Sequence, residues 1–329
     1  MKSSLILTDY SEDLDTLSLK KKSLNKLQSN MVRVKLIYAA INPADINMIE
    51  GKYLVKPTLP FALGNEAVGE IIEVGKNVTS LSIGDRVFHP FQCEKNWIGF
   101  WQSHWDIFHE DCLKVPDFIE SKQAAMLSIN PITAFLMLNS FVTLKKGDWV
   151  IQNCANSAVG RWIIFLAKKL GLKTVNIVRH NSQINDLKSI GADEVIVENE
   201  RFSSSILQKG NIKLALNGVG GDSAKECAKS LADYGVMVTY GAMAKKPITF
   251  GNSLFIFKNL VMTGFNRTKW VSEESKEVVL STYNDFFSLL NRGFCQIPIY
   301  KIYPLKDYQE VFNGYRNIKR QGKVLFSFD

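Results

Sequence analysis

Between two apolar runs the chain places Asn153-Cys154-Ala155-Asn156-Ser157-Ala158-Val159-Gly160, a stretch of almost wholly small residues. Such a turn lets backbone N–H groups and a following helix N-terminus come close to a pyrophosphate. Arg179 ends the next extended run. A guanidinium there suits the 2′-phosphate of NADP, where NAD binders prefer an acid. The G-x-G-x-x-G spacing is met only as Ala155, Ser157 and Gly160, so the turn also reads as plain helix-on-sheet packing. The flanking elements weigh toward the nucleotide reading. A strand at Trp149–Gln152 enters the turn, and a helix leaves it with Trp162, Ile163, Phe165, Leu166, Ala167 and Leu170, stopping at Gly171. A helix-to-strand junction follows over residues 187–196. Strands at 213–217 and 236–240 then run into Gly218-Val219-Gly220-Gly221 and Gly241-Ala242-Met243. This alternation describes an α/β fold with a doubly wound parallel sheet, its ligand at the carboxyl ends of the strands.

At 329 residues, 46% hydrophobic and 22% charged, the chain reads as a soluble globular protein of two domains. No apolar run reaches the ~18–20 residues of a membrane span, so no membrane partner is expected. Five scattered cysteines without a C-x-x-C read as reduced thiols, and a cytoplasmic location is expected. No secretory signal or Arg-rich transit peptide is read at the start; a trimmed protein of the mitochondrial matrix would look the same. The net charge of +8 favours anionic ligands, of which NADPH and coenzyme A thioesters are examples. Lys20-Lys21-Lys22, Lys145-Lys146 and Lys245-Lys246 are short and dispersed. They read as solvated surface, and no nucleic-acid footprint is expected.

Residues 31–130 differ from the middle of the chain. Val32 to Ile37 alternates apolar with basic residues, and Gly64, Gly69, Gly75 and Gly84 punctuate short β-branched runs, as in a small turn-rich β domain. Strand–helix alternation occupies the region from about residue 130 to Gly264. A helix over 273–290, a strand at 299–303, a short helix at 305–313 and a strand at 323–328 follow. The return of β structure predicts that the tail folds back onto the first domain.

Gly64-x-Glu66-x-x-Gly69-x-Ile71-x-x-Val74-Gly75, followed by Gly84-Asp85-Arg86-Val87, resembles the signature of the medium-chain dehydrogenase/reductase superfamily. Within it, residues 41–53, 152–160 and 237–245 are most similar to the mitochondrial-type trans-2-enoyl-CoA and enoyl-acyl-carrier-protein reductases. The resemblance implies a GroES-like β-rich catalytic domain made from residues 1–130 and 265–329, a Rossmann NADP-binding domain over 131–264, and a homodimer joined through the Rossmann sheets. It assigns Tyr53 as proton donor, because a phenol with a pKa near ~10 stays protonated at neutral pH. It sets Asn130 at the nicotinamide end and Asn156, Ser157, Ala158 and Val159 at the pyrophosphate. Arg179, His180 and Asn181 face the 2′-phosphate, and Tyr240, Gly241, Ala242 and Met243 line the adenosine and nicotinamide. Phe265, Asn266 and Arg267 match a stretch near the nicotinamide, and Lys323 matches a basic cofactor contact.

Zinc members of the superfamily carry a cysteine in the Asn42 region and a histidine where this chain has Asn65. His89, His104 and His109 lie near one another in sequence, yet no paired spacing completes a ligand set, so no metal is expected. The resembled reductases carry a tryptophan at position 266 and usually a leucine at 267. Asn266 and Arg267 give a more polar wall that favours a short acyl group or a quinone. Trp97, Phe100, Trp101 and Trp105 read either as core or as the lining of an apolar pocket. The expected activity is NADPH-dependent reduction of the C2=C3 bond of trans-2-enoyl thioesters carried on coenzyme A or acyl carrier protein. The alternatives are an NADPH:quinone oxidoreductase of the same fold and a non-catalytic NADPH- or RNA-binding protein.

Overall fold

The computed structural model describes residues 2–12, 14–53, 55–93, 97–199, 201–206, 211–315 and 321–328. They form two compact units: residues 1–129, 271–284 and 296–329 make the first, and 130–270 with 285–295 the second.

The first unit is built on a seven-stranded sheet. Its path runs Ile299–Pro304, Lys323–Ser327, Met31–Ile41, Ala67–Val74, Arg86–Phe88 and Leu113–Lys114, with His104–Phe108 also paired to Met31–Ile41. The long central strand buries Val32, Val34 and Leu36 together with Ala39–Ile41, and Trp101 and Phe326 pack edge to face against one another. The tail returns as the residues foretold: Val324 pairs with Ile41 and Phe326 with Ala39, antiparallel. One step beyond that register lies Lys323 opposite Asn42. Glu66 and Asn65 enter the neighbouring strand at the same end, where the Ala40 N–H donates to the Glu66 carbonyl at 3.3 Å. Sheet register alone therefore gathers residues 42, 65, 66 and 323 at one end of three adjacent strands.

A second, three-stranded sheet in this unit pairs Lys2–Leu7 with Leu17–Lys22 and Phe61–Ala62. It was not legible in the sequence. Only Leu5, Leu7 and Leu17 are deeply buried there, and the lysines at 20–22 are exposed, so the hydrophobic signal of the hairpin is short and weak.

The second unit holds six parallel strands in the order Glu194–Val197, Lys173–Val178, Trp149–Gln152, Ile212–Asn217, Val236–Thr239 and Val261–Gly264. Numbered along the chain this is 3-2-1-4-5-6, the Rossmann order, whose direction reverses between Trp149–Gln152 and Ile212–Asn217. The helix Ala158–Lys169 buries Trp162, Ile163, Ile164, Leu166 and Ala167. It ends in a Schellman motif: Gly171 adopts φ +70°, its N–H donates to Lys168 at 3.2 Å, and Leu172 N–H donates to Ala167 at 2.8 Å.

The predicted helix over 273–290 forms as Lys276–Leu290, and a separate helix, Arg267–Glu273, precedes it. Ser275 explains the break, since its hydroxyl accepts the Val278 N–H at 3.3 Å and starts the second helix. Among the described residues, no helix is long and apolar enough to cross a membrane.

Candidate active site

The Asn42-Pro43-Ala44-Asp45 block is a helix start. Asn42 is extended (φ −109°, ψ 156°) and Pro43 opens the helix Pro43–Ile49. Asp45, in the third helical position, reaches back so that its Oδ2 accepts the Asn42 N–H at 2.7 Å. Its Oδ1 accepts from Asn65 Nδ2, also at 2.7 Å. Asn42 Nδ2 donates to Glu66 Oε1 at 2.9 Å, and Glu66 Oε2 accepts the Ile129 N–H at 3.2 Å. Lys323 Nζ donates to Asn42 Oδ1. Asp45 and Glu66 are both 1% exposed.

Burial drives the Asp45 carboxyl up to about 7; the Asn42 N–H, Lys323 and the Asn65 amide oppose that rise, and Glu66 adds to it. Asn42 and Asn65 thus present N–H donors to the Glu66 and Asp45 carboxyl groups. Among the described residues, no three His, Cys, Asp or Glu side chains converge as a metal site.

The far end of the same helix sets Tyr53. Gly51 turns the chain with φ +66°, and the N–H groups of Lys52 and Tyr53 both donate to the Asn47 carbonyl, at 2.8 and 3.0 Å. The Tyr53 ring is half-buried against the core of the first unit and meets Trp97 edge-on, with centroids 6.5 Å apart. Of the four clustered aromatics, Phe100, Trp101 and Trp105 are core, 1%, 0% and 4% exposed. Trp97 alone is half-buried. A cavity of about 350 Å³ elsewhere in this unit is lined by Lys2, Leu24, Ile98, Trp105 and neighbours and includes neither Tyr53 nor the buried network.

In the second unit, Ser157 caps the helix Ala158–Lys169 by accepting the Gly160 N–H at 3.1 Å. Ala158 and Val159 form its first turn, where backbone N–H groups have no partner within the helix. Asn156 to Val159 are all half-exposed. A Cβ on Gly160 would lie 2.5 Å from the Ala155 carbonyl oxygen, so glycine keeps the helix start against the turn. Arg179, His180 and Asn181 are exposed directly after the strand Lys173–Val178.

The Tyr240 hydroxyl is buried without a hydrogen-bond partner among the described residues. Burial pushes its ionisation far above the usual phenol range. An orphaned buried hydroxyl beside a half-exposed helix N-terminus fits a polar, anionic cofactor that would complete the set. These residues fit the dinucleotide. The Tyr240, Gly241, Ala242 and Met243 segment leaves the strand Val236–Thr239, tied down where Tyr240 N–H donates to Asn217 and Met243 N–H to Gly218, at 2.9 and 3.1 Å. Met243 is 60% exposed.

Asn130 is buried as the first residue of the helix Asn130–Asn139. Phe265 packs edge-on against Phe141. Asn266 is exposed and its Oδ1 accepts the Lys269 N–H at 3.1 Å, starting the helix Arg267–Glu273. Arg267 is buried, 5% exposed. The asparagine at 266 is thereby engaged in capping.

Sequence reasoning missed the polar ties beneath these loops. Asn153 Nδ2 donates to Asn217 Oδ1 at 2.8 Å and Asn153 Oδ1 accepts the Gly218 N–H at 2.8 Å. Asn217 Oδ1 also takes the Val219 and Gly220 N–H groups, at 3.1 and 3.0 Å. Gln152 Nε2 bridges the Gly160 carbonyl and Asn176 Oδ1, at 2.9 and 2.7 Å. The available signal was amide residues ending otherwise apolar strands. They lock the loops at the point where strand order reverses, the expected place for a ligand.

Residues 28–117 match the alcohol dehydrogenase GroES-like domain and residues 158–284 the zinc-binding dehydrogenase family. The mitochondrial enoyl-[acyl-carrier-protein] reductase of Homo sapiens is 38% identical over 319 residues, covering 94% of this chain and 84% of its own length. The Etr1p/NADP/crotonyl-CoA complex superposes with a TM-score of 0.87 at 30% identity, over 99% of each chain. The mitochondrial 2-enoyl thioester reductase Etr1p/Etr2p heterodimer from Candida tropicalis has a TM-score of 0.87 at 31% identity, again over 99% of each chain. A quinone oxidoreductase from Pseudomonas syringae, 21% identical with a TM-score of 0.83, shares the fold. With the parallel 3-2-1-4-5-6 sheet, the GroES-like unit and this full-length likeness together, the chain belongs to the medium-chain dehydrogenase/reductase superfamily of NAD(P)H-dependent oxidoreductases, in its enoyl thioester reductase family.

Proposed function

We propose that the protein reduces the C2=C3 double bond of trans-2-enoyl thioesters with NADPH. The observation that carries this reading is likeness along 99% of the chain to a reductase solved with NADP and crotonyl-CoA. When bound, NADPH would provide the hydride that the β-carbon takes up. The Tyr53 phenol donates the proton that the α-carbon then needs, held in position by the Gly51 turn and the two N–H bonds to Asn47. The Asn42–Asp45–Asn65–Glu66 network fixes Lys323 at the strand end as a cofactor contact. Ser157, Ala158 and Val159 receive the pyrophosphate, and Arg179 selects the 2′-phosphate. The first unit serves as catalytic domain and the second as cofactor domain. The quinone reading rests on neighbours below the identity at which anything but the fold is shared.

A second copy of this chain is proposed to pair along Val261–Gly264, the edge strand of the six-stranded sheet. Support comes from apolar exposure around it: Val261 is 52% exposed, Ile256 65% and Phe257 75%. The relatives are named as mitochondrial, which favours the matrix over the cytoplasm as the compartment.

The test is NADPH oxidation with crotonyl-CoA against 1,4-benzoquinone. Crotonyl-CoA is expected to be the better substrate, and Tyr53→Phe to slow it by about a hundredfold or more. A Tyr53→Phe rate within about twofold of the parent would remove the proton-donor role.

A further inference from the structure

We propose that Trp97 is a specificity residue: its indole walls the acyl side of the Tyr53 phenol and restricts the enzyme to short enoyl chains. This rests on the reading of Tyr53 as the residue that meets the substrate α-carbon. The other three aromatics of the stretch are sealed in the core, whereas Trp97 is half-buried and touches Tyr53. A centroid separation of 6.5 Å at an interplanar angle of 64° is direct edge contact. An alkyl chain does not fit between rings at that distance. A tail extending from a carbon at the phenol must therefore pass around the indole or stop short of it.

Trp97 is held there by its neighbour. Gln92, 1% exposed, clamps both backbone groups of Ile98. Its Nε2 donates to the Ile98 carbonyl at 2.6 Å and its Oε1 accepts the Ile98 N–H at 3.1 Å. A buried amide pairing with both groups of one residue fixes the backbone from which the adjoining indole projects. A second observation separates Trp97 from a packing residue: its indole N–H is buried without a hydrogen-bond partner among the described residues. Buried tryptophans ordinarily satisfy that donor, because leaving it unmade is costly. In this proposal the oxygen of an incoming acyl thioester takes that donor.

The experiment compares kcat/KM for crotonyl-CoA and trans-2-octenoyl-CoA in the parent, Trp97→Ala, Trp97→Leu, Trp97→Phe and Tyr53→Phe. One methylene in an apolar pocket changes kcat/KM by roughly tenfold or more. Trp97→Ala and Trp97→Leu are therefore expected to raise the octenoyl-to-crotonyl ratio by at least about tenfold. Trp97→Phe, which keeps a ring but lacks the donor, should hold the ratio within about threefold while raising KM for both. Thermal midpoints and NADPH binding identify a misfolded variant, and Trp97→Leu keeps an apolar side chain if the alanine variant fails to fold. An unchanged ratio in a folded Trp97→Leu protein overturns the proposal. If the ratio shifts while Tyr53→Phe stays fully active, the chain-length gauge stands and the proton-donor reading falls.

Discussion

Asp45 is the residue whose surroundings make the clearest pH statement. Its carboxyl is buried and raised from 3.8 to about 7. Below pH 3.8 it is neutral in both folded and unfolded chains and costs nothing extra. As pH rises toward about 7 the unfolded chain releases the proton first, so the folded state loses stability across that window. Asp45→Asn removes this titration but sets an amide against two N–H donors, from Asn42 and Asn65. Its Tm relative to the parent is expected to improve from about pH 4 to about pH 7 and then to level off. A Tm difference that is flat with pH, by calorimetry, would contradict the assignment. Arg179 makes a separate prediction. It is exposed at a strand end, so its removal costs little stability. Arg179→Ala should weaken NADPH by roughly ten- to a hundredfold, the worth of charge-assisted hydrogen bonds, and leave NADH nearly unchanged. Equal losses for both cofactors, by fluorescence titration, would sink the 2′-phosphate role.

The element that matters most is the turn between Trp149–Gln152 and the helix Ala158–Lys169. Its third glycine-type position was legible in the sequence because nothing larger fits: a Cβ on Gly160 would meet three backbone atoms of Ala155 within 2.7 Å. Gly160→Ala is expected to cost about 1–3 kcal/mol as overpacking, with NADPH affinity falling alongside Tm. A variant as stable as the parent, by denaturant titration, would show that the turn can shift. The asparagines at the strand ends were not legible as a network. Asn153 and Asn217 are 64 residues apart, and one sequence does not show which strands become neighbours. The start of the helix Lys276–Leu290 was placed three residues early for a related reason, since a single side-chain cap at Ser275 sets it.

For the molecule as a whole, the exposed apolar edge of the second unit carries the oligomer prediction. Phe257→Asp together with Val261→Lys puts charge on residues 75% and 52% exposed, so the folded monomer should tolerate both. Light scattering is expected to report a monomer that still binds NADPH. A parent that is already monomeric, or a double variant with unchanged mass, would remove the edge-strand interface.

The order of apolar runs, small-residue turns and glycines along the chain determined by itself that a Rossmann-type sheet follows a β-rich region and that β structure returns at the end. Those features are local, written in side-chain periodicity and in backbone positions that larger residues cannot occupy. Tertiary structure alone decided that Lys323 meets Asn42 across a strand register, that Asp45 and Glu66 share a buried amide network, and that Trp97 stands against Tyr53. Each of these joins residues far apart in sequence, and the free energy that selects them comes from burial and pairing realised only once the chain is folded.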